Sequence, residues 1–282
     1  MTTPAGGTPA LFPGRQFIST ILDLLETKTA MSGIIARRYL QRAAMAGVII
    51  GLMYIVYYSV IAAFTSIGLA PLGRIAGAAV FGWALVFIYY SRSELLTSNM
   101  MIVTVGAYYR RTGWLRALRL LGLCYVGNAL GGVFVAVLVR FSTLTEGLPS
   151  DEMLASVEHK LMYVTEGATG WTDLFIRAVL CNLCINLAML LVYNGFIKDD
   201  LTKSLVMIVS VFVFAFLGLE HSVANTALFA IVGLADGIHV GYAAANLGIV
   251  LVGNYVGGGL LIGLYYAYAN DETRKRRDHI EE

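Results

Sequence analysis

The sequence predicts an all-α membrane protein: six transmembrane helices in two inverted three-helix repeats, with the second and fifth helices broken. Three observations carry that reading. First, 58% of the 282 residues are hydrophobic and only 13% are charged, whereas a soluble domain carries about a quarter charged residues. The mean hydropathy is +0.73. Second, six apolar stretches approach or exceed the roughly 20 residues that a helix needs to cross the hydrocarbon core. Third, the pattern G-N-x-x-G-G occurs at 127–132 and again at 253–258, in the third and the sixth stretch. This composition excludes a soluble enzyme. It also excludes a disordered chain, which would be poor in apolar residues.

In chain order, residues 1–42 form an N-terminal segment whose polar start, TTPAGGTPALFPG, carries no cleavable signal peptide. Phe17, Ile18, Ile21, Leu22, Leu24 and Leu25 then make one apolar helical face, which reads as an interfacial helix under the first span. The membrane domain, 43–268, holds spans at 43–69, 75–90 with a continuation to 108, 117–141, 172–193, 204–234 and 241–268. Thirty glycines against five prolines suit close helix packing in lipid. A charged tail, 269–282, ends the chain.

Lysine and arginine set the orientation. Arg15, Lys28, Arg37, Arg38 and Arg42 precede the first span, and Arg110, Arg111, Arg116 and Arg119 follow the second. Lys198 and Lys203 follow the fourth, and Arg274, Lys275, Arg276 and Arg277 close the tail. The intervening connections hold less positive charge. Both termini are therefore expected in the cytoplasm, with the spans in the plasma (inner) membrane. A net charge of +2 gives no footing for nucleic acid as a partner.

Three spans per half is an odd number, so the halves run in opposite directions across the bilayer. The second span of each half is interrupted by polar residues at mid-depth, SRSELLTSN at 91–99 and GLEHSVANT at 218–226. Thr97 lies 31 positions before Asn128 and His221 lies 33 before Asn254, so the interruptions correspond. Paired discontinuous helices in inverted repeats point to a solute site near the midplane. Irregular backbone survives at that depth only where protein buries it or a wet cavity needs it. The pattern implies transport.

Within the breaks, His221 is the residue of greatest interest, because an ionisable group inside a span is a functional candidate by default. A neutral imidazole has one donor and one acceptor and titrates near physiological pH, so it can give a hydrogen bond or a proton to a small anion. Its other reading is to fix the broken backbone. Glu220 would repel an anion and reads as paired with backbone amides or polar groups. Asn225 lies one turn beyond the histidine. Asn128 and Asn254 read as caps on the freed backbone of the broken helices. Thr97 can donate to a passing anion or to His221, Leu95 can plug the opening, and Phe81, Leu85 and Phe214 can form apolar constrictions. Lys160, in the outer connection, can draw anions inward by electrostatic focusing. Cys181 and Cys184 form a C-x-x-C pair with no second pair or nearby histidine, and read as helix packing. No metal site or cofactor is expected.

At these residues the sequence resembles the formate/nitrite transporter family. The E-H-S-x-A-N motif is present as Glu220, His221, Ser222, Val223, Ala224 and Asn225, and the last span carries Gly253, Asn254, Gly257, Gly258 and Gly259. The loop Leu95, Leu96, Thr97, Ser98 and the run Glu158, His159, Lys160 are similar to the family's loop and outer lysine motif, across a resemblance from about 43 to 268. It implies an aquaporin-like protomer, a homopentamer with one pore per protomer, and passage of formate, nitrite, hydrosulfide, acetate or lactate. By position, His221, Thr97, Asn225 and Lys160 match the pore and vestibule residues, and Phe81, Leu85, Leu95 and Phe214 the two constrictions. Many members carry Phe where this chain has Leu96, and for the second vestibule lysine Lys28 is the nearest candidate.

An anion at mid-membrane faces a desolvation cost of several kcal/mol. A positive vestibule would concentrate the anion and falling polarity beyond it raises the pKa of its acid form, so a proton from water or from His221 would let the neutral acid cross. The expectation is therefore a pH-dependent, proton-coupled channel, with formate as the solute on family frequency. The alternatives are a nitrite or hydrosulfide channel of the same family, or a neutral-solute pore. The Asn-Pro-Ala boxes of water and glycerol pores are missing from the sequence. An enzyme would need clustered ligands or a nucleophile–base pair, which the dispersed His159, His221, His239 and His279 do not supply.

Overall fold

In lipid, every backbone N–H and C=O must find its partner inside the segment, and each apolar run of this chain is accordingly helical. The computed structural model describes residues 14–271. The polar start at 1–13 and the tail beyond 271, with Arg274–Arg277 and His279, lie outside the described residues.

The first half comprises α1 (Arg15–Ile34), α2 (Ala36–Thr65), α3 (Ala70–Phe81), α4 (Trp83–Tyr90), α5 (Leu96–Tyr108) and α6 (Trp114–Arg140). A connecting helix α7 (Leu148–Thr165) leads to the second half: α8 (Gly167–Tyr193), α9 (Asp200–Phe216), α10 (Ser222–Ala235) and α11 (Val240–Asn254). The last span continues as a π-helix, Tyr255–Leu264, and ends in α12 (Tyr265–Ala269). Among the described residues, five spans are long and apolar enough to cross a membrane: Ala36–Thr65, Ala70–Tyr90, Trp114–Arg140, Gly167–Tyr193 and Val240–Ala269. The fifth span of the sequence is divided between α9 and α10, as the second is divided between α4 and α5. Every regular element among the described residues is a helix, and the architecture is the six-span, aquaporin-like fold with two broken helices.

The halves interlock. The second part of each broken span packs on the last span of the other half, α10 on α6 and α5 on the π-helix. Close approach rests on glycine. A Cβ at Gly131 would collide with the Ala44 carbonyl oxygen, and one at Gly257 with the Val179 carbonyl oxygen. These are the matching third-span glycines of the repeated hexapeptide. The apolar face of α1, formed by Phe17, Ile18, Ile21 and Leu25, is buried in the protein core, where the helix packs on α5 and α2.

The π-helix has a cause on a neighbouring helix. Asn182 on α8 reaches across and donates to the Asn254 carbonyl at 2.7 Å, and Gly257, Gly258 and Gly259 follow immediately. A side chain inserted into the helical ladder is a recognised origin of such irregularity.

Candidate functional site

Each break ends one helix and starts another at mid-depth, and a single asparagine serves each. The Asn128 amide donates to the carbonyls of Ala43 and Glu94, both at 2.8 Å, and its oxygen accepts from the Leu96 N–H at 3.0 Å. The Asn254 amide donates to Ala178 at 2.8 Å and Glu220 at 2.9 Å, and its oxygen accepts from the Ser222 N–H at 2.9 Å. Two backbone groups freed by each break are thereby satisfied, the Glu94 carbonyl and Leu96 N–H in the first and the Glu220 carbonyl and Ser222 N–H in the second, in a place where leaving one bare would cost about 1–3 kcal/mol.

The same bonds set the correspondence of the halves. Glu94 and Glu220 each stand 34 positions before their asparagine, so Leu95 is the counterpart of His221, and Thr97 that of Val223. The E-x-x-x-x-N spacing, Glu94–Asn99 and Glu220–Asn225, carries this signal in the sequence. The Asn99 amide donates to Glu94 at 3.1 Å and the Asn225 amide to Glu220 at 2.5 Å.

Both glutamates are buried and paired with lysine. Lys160 Nζ donates to Glu220 Oε1 at 2.8 Å, and Lys28 of α1 pairs with Glu94. Asn246 joins the Glu220 cluster, donating to the Lys160 carbonyl at 2.9 Å and accepting from the Asn225 amide at 3.0 Å. Glu94, Asn99 and Asn246 were not among the sequence candidates for the pore, and Lys28 entered only as the nearest match to a vestibule lysine.

His221 occupies the N-cap of α10, and its Nδ1 accepts the Ala224 N–H at 3.1 Å. Since a backbone N–H can only donate, Nδ1 is an acceptor and the neutral ring carries its proton on Nε2. Nε2 lies 3.1 Å from Thr97 Oγ1, joining residues 124 positions apart at the meeting point of the two breaks. The ring stacks on Phe214 with centroids 5.9 Å apart. Both α5 and α10 begin here, so two positive helix ends converge on this pair.

Around His221 lies a cavity of about 20 Å³, walled by Phe81, Leu85, Leu95 and Phe214 together with Ile50, Ala84, Ile88, Ile185, Val211 and Ala224. That is room for about one water. On the α1 side a larger cavity, about 520 Å³, is lined by Lys28, Arg42, Arg92, Glu94, Ser93 and Ser98. Leu85, Ile88 and Leu95 line both, so they form the apolar wall between vestibule and centre. Phe81 and Phe214 meet edge to face at 6.1 Å.

The structure thus brings His221, Thr97, Phe81, Leu85, Leu95 and Phe214 together. Asn225 and Lys160 belong instead to the Glu220 cluster, which they join through the Asn225 amide nitrogen and Lys160 Nζ. Asn182 and Asn186 add a support that sequence reading did not single out for function: their amides donate to the Thr97 carbonyl at 3.2 and 3.1 Å.

The formate/nitrite transporter family profile matches residues 15–268. "Uncharacterized transporter YwcJ" of Bacillus subtilis is 30% identical over 240 residues, covering 83% of this chain and 90% of the relative. The formate channel FocA of Haemophilus influenzae is 29% identical over 250 residues, covering 79% and 83%. The nitrite transporter NirC of Salmonella typhimurium is 30% identical over 236 residues, covering 83% of each. Among solved structures, an FNT family ion channel superposes with a TM-score of 0.77 at 25% identity, over 90% of this chain and 99% of the other. A pentameric formate channel with formate bound gives a TM-score of 0.65 at 24% identity, over 82% and 96%. The paired breaks are thus part of a shared fold, and the match along nearly the whole chain makes it a member of the formate/nitrite transporter family, whose members are channels and transporters rather than enzymes.

Proposed function

We propose that this chain conducts formate and related small monovalent anions through its own pore in each protomer of a homopentamer, with a proton accompanying the anion. We place it in the plasma membrane with both termini in the cytoplasm, on the distribution of Lys and Arg. The observation that carries the reading is the Thr97–His221 pair, 3.1 Å apart, held behind an apolar wall where two helix N-termini meet. Relatives whose names give formate and nitrite as solutes support the substrate class.

The chemistry follows from the tautomer. With Nδ1 committed to the Ala224 N–H, His221 offers a fixed Nε2–H donor, and Thr97 offers a hydroxyl that donates or accepts. Handing over the Nε2 proton would require a second proton on Nδ1 first, and that would break the cap. The proton that neutralises the anion therefore comes from water in the vestibule, while His221 holds the solute's oxygen as it passes. Leu85, Ile88 and Leu95 lower the local polarity, which favours the neutral acid. A cavity with room for about one water must widen for any of these anions, and it must widen least for formate or nitrite.

Flux into proteoliposomes of the purified protein tests this, with formate, nitrite and hydrosulfide at outside pH values of about 5 and about 7. Formate uptake is expected to be faster at the lower pH. Passage of nitrite or hydrosulfide without formate would overturn the substrate, and pH-independent formate flux would overturn the proton coupling. Nitrite is the second reading, because the nitrite transporter of Salmonella typhimurium is as similar to this chain, at 30% identity, as the other relatives.

A further inference from the structure

Each break begins where a half-helix ends, and the two ends are built alike. Beyond α4, the N–H groups of Arg92 and Ser93 donate back to the carbonyls of Tyr89 and Ile88. Beyond α9, Gly218 and Leu219 donate back to Ala215 and Phe214 in the same way. The turning residue has a left-handed backbone in both, φ +54° at Arg92 and +64° at Gly218. This is the usual helix stop, in which a left-handed residue lets later N–H groups reach the last carbonyls. Glycine adopts it freely, whereas arginine adopts it under strain.

The two stops are also held alike. The carbonyl of the turning residue accepts from an arginine on the first span of the same half. Arg42 Nε donates to the Arg92 carbonyl at 2.9 Å, and its Nη2 reaches the same oxygen. Arg177 Nη1 donates to the Gly218 carbonyl at 3.2 Å and to that of Leu217 at 3.4 Å. Each arginine then closes the loop with its own backbone: the Glu94 N–H donates to the Arg42 carbonyl at 3.2 Å, and the Glu220 N–H to the Arg177 carbonyl at 3.5 Å. Arg42 directly precedes Ala43, whose carbonyl holds Asn128, and Arg177 precedes Ala178, whose carbonyl holds Asn254. The two arginines are thus equivalent, 135 positions apart.

We propose that Arg42 and Arg177 are positioning residues that clamp the two breaks and so fix Leu95 and His221, the equivalent residues next to the clamped glutamates. Each guanidinium grips the outgoing carbonyl while the adjoining peptide grips the returning N–H, so the loop is pinned at both ends to one point on a continuous helix. The guanidinium also offsets the negative end of the half-helix it caps, which would otherwise repel an anion at the mouth. Arg42 lines the larger cavity. Its partner Arg177 is also tethered to Asp173 at 3.0 Å. The transport part of this inference rests on the proposed anion flux; the clamp itself rests on geometry alone.

Hydrogen exchange and flux on Arg42→Gln, Arg177→Gln and the two Lys variants, each in the full chain, test the clamp. In Arg42→Gln, amides across 91–97 are expected to exchange at least tenfold faster while those across 217–223 keep their protection. Arg177→Gln reverses the pattern. Each Gln variant loses at least fivefold in maximal formate flux with the half-saturating concentration within twofold, and the Lys variants regain more than half the loss. Unchanged exchange in both Gln variants, or equal loosening of both breaks by either one, overturns the proposal. If the parent protein passes no formate, the proposed substrate fails and the exchange pattern alone decides the clamp.

Discussion

At the scale of the residue, this protein concentrates its polar chemistry in one side chain with two tasks. His221 caps α10 through Nδ1 and faces Thr97 through Nε2, and the tasks can be separated by substitution. Asparagine is among the best N-cap residues and also carries an amide donor, so His221→Asn is expected to fold normally and to keep formate flux within about tenfold, the scale of one hydrogen bond. His221→Leu keeps neither group. It should lose about 1 kcal/mol of stability from the missing cap and most of the flux. Initial rates in proteoliposomes across pH decide between proton sources: if, as proposed, the proton comes from water, the Asn variant should retain the parent's pH dependence. A flat profile in that variant would instead make the imidazole the proton donor. The counterpart position in the first half is Leu95, which has no polar group to offer, so the centre has one imidazole rather than two.

At the scale of the element, the two halves differ most in how their first and third spans meet. Asn182 and Asn186 on α8 are equivalent to Gly47 and Gly51 on α2, each 135 positions apart. In the first half glycine allows backbone contact: a Cβ on Gly47 would collide with the Asn128 carbonyl oxygen. In the second half the asparagines fill that space and support both the Asn254 carbonyl and the Thr97 carbonyl. Gly258 is the space they need, since a Cβ there would collide with both amide nitrogens. Gly258→Ala is therefore expected to cost about 1–3 kcal/mol by overpacking and to reduce flux by displacing Thr97. Gly248→Ala, on α11 with nothing within 4 Å of the new Cβ, should melt no lower than the parent in detergent. Equal melting temperatures for the two variants would remove the packing argument. The π-helix could not be read in the sequence, because its cause lies on α8, 72 positions away. The breaks could be read, because polar residues stand inside otherwise apolar runs.

At the scale of the whole molecule, the glutamate of each break is paired with a lysine from outside the repeated spans, Lys160–Glu220 buried and Lys28–Glu94 with its lysine partly exposed. Hydropathy and the repeated hexapeptide revealed the six spans and two halves, since both are properties of composition and local pattern. They did not reveal the pairing of Lys28, which lies on α1, outside the repeated spans and with no matching lysine at the same offset in the second half. Only folding brings α1 to Glu94 and α7 to Glu220. The pairs share no partner and belong to opposite halves, which makes a quantitative expectation possible. Removing one member of a buried pair leaves the other charge uncompensated, at about 3–5 kcal/mol. Lys160→Met should cost an amount of this order and Lys28→Met less, since Lys28 is partly exposed and lines the larger cavity with Glu94, and the double variant should cost their sum within about 0.5 kcal/mol, as independent sites do. Restoring neutrality by adding Glu220→Gln to Lys160→Met should recover much of that loss, since the oxygen of the new carboxamide can still accept from the Asn225 amide. Equilibrium unfolding in detergent micelles measures all of these. A double Lys variant costing far less than the sum would mean that the two ion pairs are energetically coupled through the interlocked spans, α5 on the π-helix and α10 on α6.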